Sequence, residues 1–86
     1  MSAIAVSDAE IRAAIERALH RIAPEADLGA IPPNADLRDE IDLDSMDMFN
    51  FFVALHDALH VDIAESEYGS MTTIDGCMAV LRKKLG

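Results

Sequence analysis

All three prolines of the chain, Pro24, Pro32 and Pro33, fall within residues 24–44, and with Gly29 and Asn34 they prevent a continuous helix there. That stretch also lacks an apolar–polar alternation long enough for a strand. The segments on either side repeat apolar residues every three or four positions. The chain is thereby restricted to helices separated by one long connection.

The first helical segment reads "SDAEIRAAIERALHRIA". Ser7 followed three residues later by Glu10 has capping-box spacing, each side chain satisfying an orphan amide of the first turn. Ile11, Ile15, Leu19 and Ile22, with Ala14 and Ala18 beside them, form one stripe. The helix should end near Ala23, because Pro24 disfavours helical geometry in the residue before it.

A connection over residues 24–44 exceeds the ~12–15 residues of ordinary loops, so it is either functional or pinned by its own apolar residues. Leu28, Ile31, Leu37, Ile41 and Leu43 can pin it. The expectation is an ordered loop with one short helical turn, held by burial without regular backbone bonding.

"DSMDMFNFFVALHDALH" follows. Asp44 suits the N-cap, and Ser45 and Asp47 occupy the first turn, where negative charge is favoured. Phe49, Phe52, Val53, Leu55 and Leu59 recur at helical spacing. Met46, Met48 and Phe51 add apolar area beyond a single stripe, so this helix packs on more than one side or presents an apolar edge at its start. In "VDIAESEYGSM", Val61 and Ile63 turn inward and a helix of one or two turns runs from Glu65 to about Ser70. Thr73 caps the last helix, whose apolar face is Ile74, Cys77, Met78, Val80, Leu81 and Leu85. The expected fold is all-α, a four-helix bundle with three main helices, one short helix and a long first loop, in a single domain over residues 1–86.

Composition supports a packed core: 51% of the 86 residues are hydrophobic and 27% are charged. Sixteen acidic against seven basic residues give a net charge of −9, which repels nucleic-acid phosphates and anionic lipid and selects basic protein surfaces as partners. Arg82, Lys83 and Lys84 complement the negative end of a helix dipole. Cys77 is the sole cysteine, which excludes an intramolecular disulfide. No apolar run approaches the ~18 residues of a membrane span, and no secretory signal pattern opens the chain. A cytoplasmic monomer without membrane insertion is expected.

"DLDSMDM", residues 42–48, holds the main chemical question: Ser45 could be a helix start, a phosphoacceptor, a nucleophile or an attachment point. The first turn of a helix tolerates an attached anion such as a phosphodiester, but serine is also common there simply for capping. A serine hydrolase is disfavoured, because G-x-S-x-G and its strand–turn–helix context are missing. His56 and His60 stand four apart, a metal-ligand spacing, yet no third ligand is evident, so no metal is expected and both are read as helix-surface residues. Cys77 is read as a small core residue without a paired base.

The run from Ile41 to Leu81 resembles the second half of an acyl carrier protein. Members of that family read D-S-L-D, then an amphipathic helix ending near V-x-I, a short acidic helix, and T-T-[VI] at the start of the last helix. Asp44-Ser45-Met46-Asp47 resembles the attachment motif with Met for Leu, Val61-Asp62-Ile63 the segment after the second helix, and Met71-Thr72-Thr73-Ile74 the approach to the last one. The resemblance implies a 4′-phosphopantetheine arm on Ser45, attached through a phosphodiester by a phosphopantetheinyl transferase, with an acyl group carried as a thioester. It also implies partner enzymes, acyl-transferring, ligase or synthase, with basic docking patches, and a chain that catalyses nothing. Asp44, Met46 and Asp47 would meet these partners, and Asp57, Asp62, Glu65 and Glu67 would continue an acidic strip.

The sequence departs from the common fatty-acid carriers. Asp42 stands where glycine is usual and Asn50 where glutamate is usual, while Phe49, Phe51, Phe52, His56 and His60 enrich the second helix in rings. These changes point to a dedicated fatty-acid, polyketide or other secondary pathway. Two alternatives remain open at this stage. One is an aminoacyl or peptidyl carrier; the other is an unmodified acidic interaction module presenting Met46, Met48 and Phe51.

Overall fold

The computed structural model describes residues 6–85, and its elements follow the periodicity. Helix α1 spans Asp8–Ile22, α2 is a single turn over Leu37–Glu40, α3 spans Ser45–Leu59 and α4 spans Ile74–Leu85. Short 3₁₀ segments lie at Leu28–Ala30 and Glu65–Ser70. No strand occurs among the described residues.

The caps explain where the long helices begin. Ser7 Oγ accepts the Glu10 amide at 3.1 Å, and Glu10 Oε1 accepts the Ser7 amide at 3.4 Å, completing the expected box. Thr73 Oγ1 accepts the Gly76 amide at 2.9 Å at the start of α4. Helix α3 ends where its segment does, but the geometry of its cap was not foreseen. His60 adopts a left-handed conformation, φ 53° and ψ 46°, and its N–H donates to His56 O at 2.8 Å. That region admits few residues without glycine's freedom.

Helix α1 packs against both α3 and α4. Ile11, Ile15 and Leu19 are fully buried against Phe51 and Leu55 of α3 and Leu81 and Cys77 of α4, and no polar or charged residue is buried among those described. The expected stripe on α3 was partly misplaced. Phe49 and Val53 are 49% and 41% exposed, whereas Met48 and Phe51 are buried at 6% and 0%. Because α3 is apolar nearly all round, its periodicity could not select the inward face; packing against α1 does.

The connection between α1 and α3 contains two helical turns where one was expected, and it is held by backbone bonds as well as burial. The Leu37 N–H donates to Thr72 O at 2.8 Å, and the Asp75 N–H donates to Pro33 O at 2.9 Å. These two bonds clamp the loop to the start of α4 and satisfy an orphan amide of its first turn. Ile31, Leu37 and Leu43 fill the core beneath, with Leu28 and Ile41 partly buried beside them. A partly buried ion pair between Lys84 Nζ and Glu67 Oε1 at 2.9 Å links the second 3₁₀ segment to α4, while Glu67 Oε1 also accepts the Ala64 N–H at 2.8 Å. Both contacts hold the Glu67 carboxyl below its ordinary range, the lysine bond foremost.

The junction between the second 3₁₀ segment and α4 depends on Gly76. A Cβ built there would lie 2.1 Å from Ser70 O and 3.0 Å from Thr73 Oγ1. Alanine normally favours a helix by ~1 kcal/mol over glycine, but overpacking against a backbone oxygen costs about 1–3 kcal/mol. Gly76→Ala should therefore lower the melting temperature by several degrees; an unchanged or raised value would show that the junction yields freely.

Candidate functional site

Ser45 is the first residue of α3 and is exposed. Its position is set by a reciprocal box around it: Asp44 Oδ1 accepts the Asp47 amide at 2.8 Å, and Asp47 Oδ2 accepts the Asp44 amide at 3.2 Å. Sequence reasoning gave Asp44 this capping role but assigned Asp47 only a charge, because aspartate replaces the usual glutamate or glutamine of the motif. Asp42, just upstream, has φ 53°. A left-handed turn suits glycine, the residue usual here in the carriers that the sequence resembles, and aspartate is among the residues that tolerate it.

A cleft of about 410 Å³ opens beside Ser45 between α3 and the second 3₁₀ segment. Met48, Phe49, Phe52 and Tyr68 supply its apolar lining, and Arg38, Glu65 and Thr72 are polar groups within it. Phe52 and Tyr68 stack with ring centroids 4.3 Å apart and planes 23° apart, forming a continuous aromatic wall. The same rings and Phe49 line a second hollow of about 260 Å³ that continues toward His56, Asp62 and Ile63. An apolar trough thus leads away from the serine along α3.

The predicted docking residues do not form one strip. Met46 is 64% exposed and, with Phe49 and Val53, makes an apolar ridge along α3. Asp57 lines a hollow with Arg21, Asn50 and Val53. Asp57, four residues after Val53 on the same face of α3, extends the ridge, whereas Asp62 and Glu65 lie to one side of it, against the two clefts. Arg38, Thr72 and Tyr68 were missed entirely, since nothing in their spacing from Ser45 announces that the loop and the second 3₁₀ segment meet α3 here.

His56 Nδ1 lies 2.8 Å from Val61 O, so the ring acts in closing the turn after α3. Among the described residues no three His, Cys, Asp or Glu side chains converge as a metal site. Nor is any helix among them long and apolar enough to cross a membrane. Cys77 is fully buried, its Sγ donating to Met71 O at 3.2 Å, and burial pushes its thiol up to about 12.

A comparison with protein families matches the phosphopantetheine attachment site family over residues 9–76. The chain belongs to this family. A search of curated proteins finds no match. The match runs from α1 into the first turn of α4 and so includes Ser45, its capping box and the cleft. The covalent prosthetic group of a phosphopantetheine attachment domain is 4′-phosphopantetheine. The residues here fit such a group: an exposed hydroxyl at the start of a 15-residue helix, beside an apolar trough. The small all-α fold of the chain agrees with that of acyl carriers.

Proposed function

We propose that Ser45 carries the 4′-phosphopantetheine arm and that the chain presents acyl groups to the enzymes of a dedicated fatty-acid, polyketide or other secondary pathway. The observation that supports this most is the placement of exposed Ser45 at the capped N-terminus of α3, opening on the Phe52–Tyr68 trough. When bound, the arm supplies a terminal thiol on which an acyl group is held as a thioester.

The chain's own residues position and recognise. The Ser45 hydroxyl is the atom on which the phosphodiester is built by a separate transferase. Asp44 and Asp47 keep the first turn of α3 intact, so that its amides and dipole face the anion. Their charges, with those of Asp57, Asp62 and Glu65, steer basic partner surfaces, while Met46, Phe49 and Val53 provide the apolar contact once a partner has docked. The trough shelters the apolar part of the cargo between encounters, and the tethered arm raises its effective concentration at a docked enzyme. Of the surface expected for an unmodified interaction module, Met46 is exposed while Met48 and Phe51 are buried.

Coexpression with a broad-specificity phosphopantetheinyl transferase should raise the intact mass by one arm; an unchanged mass would contradict the proposal. A second measurement uses the thiols. Cys77 should resist iodoacetamide at pH 8 in the folded apo-protein, whereas the loaded protein should take up one equivalent on the arm. Because the folded-state value of Cys77 is raised, from an ordinary 9 to about 12, its neutral thiol contributes fully to stability below pH 9. That contribution is lost as pH climbs toward 12. Cys77→Ala should therefore flatten the alkaline limb of a stability–pH curve. Rapid alkylation of the folded apo-protein at pH 8 would refute the buried, protonated thiol.

A further inference from the structure

Arg38 lines the cleft beside Ser45. Its Nε and Nη2 donate to the two carboxylate oxygens of Asp36 at 3.0 and 2.7 Å. Its carbonyl accepts the Leu43 amide at 3.2 Å, two residues before Ser45. A guanidinium has five N–H donors, and the Asp36 fork engages one on Nε and one on Nη2, leaving the others available. Asp36 already caps α2 by accepting the Arg38 amide at 2.9 Å, so the cap does not require the guanidinium. An exposed pair of this kind contributes little to stability.

The charges around Ser45 are otherwise negative. Asp42, Asp44 and Asp47 lie within three residues of it, and Glu65 lines the same cleft. A phosphodiester at this point adds one more negative charge, which the helix terminus favours and the neighbouring carboxylates oppose. Arg38 is the one lysine or arginine lining this cleft among the described residues. Guanidinium groups pair well with phosphate oxygens, through parallel N–H donors.

We infer that Arg38 binds the phosphodiester of the prosthetic arm and so fixes the direction in which the arm leaves Ser45. It is a positioning residue, and its role rests on Ser45 being the attachment point. The pairing is electrostatic and exposed, so it weakens as salt screens it.

The test compares apo and phosphopantetheine-loaded forms of four chains: wild type, Arg38→Gln, Asp36→Asn and Arg17→Gln. Arg17, on α1, controls for the loss of a positive charge. Asp36→Asn keeps a capping side chain and removes the fork. Loading is established by intact mass, and melting temperatures are read at low and at ~0.5 M salt. In Arg38→Gln the loaded form should melt roughly 2–5 °C lower relative to its apo form than in the wild type, a gap that closes at high salt. Asp36→Asn and Arg17→Gln should keep the wild-type difference. The ³¹P resonance of the loaded protein should move in Arg38→Gln and stay in Arg17→Gln. An unchanged loaded-minus-apo difference and unchanged ³¹P resonance in Arg38→Gln would overturn the assignment of Arg38. Equal changes in Arg38→Gln and Asp36→Asn would assign the effect to the fork's structural role and also overturn it. A wild-type chain that takes no arm would instead remove the Ser45 reading, and this inference with it.

Discussion

Phe51→Ala is expected to lower the melting temperature by roughly 15 °C or more, and Phe49→Ala, two positions away, by less than about 5 °C. Phe51 is fully buried among α1, α3 and α4, the largest side chain so enclosed, whereas Phe49 is 49% exposed on the ridge. Truncating a buried phenylalanine removes its transfer free energy and leaves a cavity, together about 3–5 kcal/mol. A domain of 86 residues has only ~4–13 kcal/mol of stability in total, at ~0.05–0.15 kcal/mol per residue. Phe51→Ala therefore removes a large share of it. Thermal or urea unfolding of the two variants decides the matter. Equal losses would mean that α3 is rotated relative to the orientation described, with Phe49 in the core as its spacing alone suggested.

That contrast shows which parts of the fold could be read from sequence. Helices α1 and α4 have one apolar stripe each, and Ile11, Ile15, Leu19, Ile74, Cys77 and Leu81 all fall inside as their spacing requires. Their starts carried explicit caps in Ser7, Glu10 and Thr73. Helix α3 had too many apolar residues for periodicity to choose among them, and its inward face is decided by contacts with α1, far away in sequence. The long loop was recognised from its prolines, but its clamps, Leu37 to Thr72 and Asp75 to Pro33, join residues more than thirty positions apart. Such pairings leave no local signature. Positive φ at Asp42 and His60 was likewise not signalled, since neither position is a glycine.

The candidate site was legible at its centre and not at its edges. Ser45 and Asp44 could be placed because a helix start is a local event written in adjacent residues. Arg38, Tyr68 and Thr72 reach the site from other segments, and only the folded chain brings them to Ser45. The acids chosen for docking are exposed or partly so; Asp57 continues the Met46–Phe49–Val53 ridge, and Asp62 and Glu65 lie beside it on the cleft side.

Ser45→Ala should abolish loading by a phosphopantetheinyl transferase while leaving the melting temperature nearly unchanged. The hydroxyl is exposed, and the cap of α3 is made by Asp44 and Asp47 without it, so the stability change should lie within about 0.5 kcal/mol. Loss of the arm then reports on chemistry and not on unfolding. Cleavage after glutamates releases residues 41–65, a peptide in which Ser45 carries the sole hydroxyl side chain. Peptide mass spectrometry of the loaded chain after this digestion is the most direct measurement of the attachment point. One phosphopantetheine on residues 41–65 of the wild type, and none anywhere on Ser45→Ala, is the predicted result; an arm on another peptide, or one retained by the variant, would contradict it.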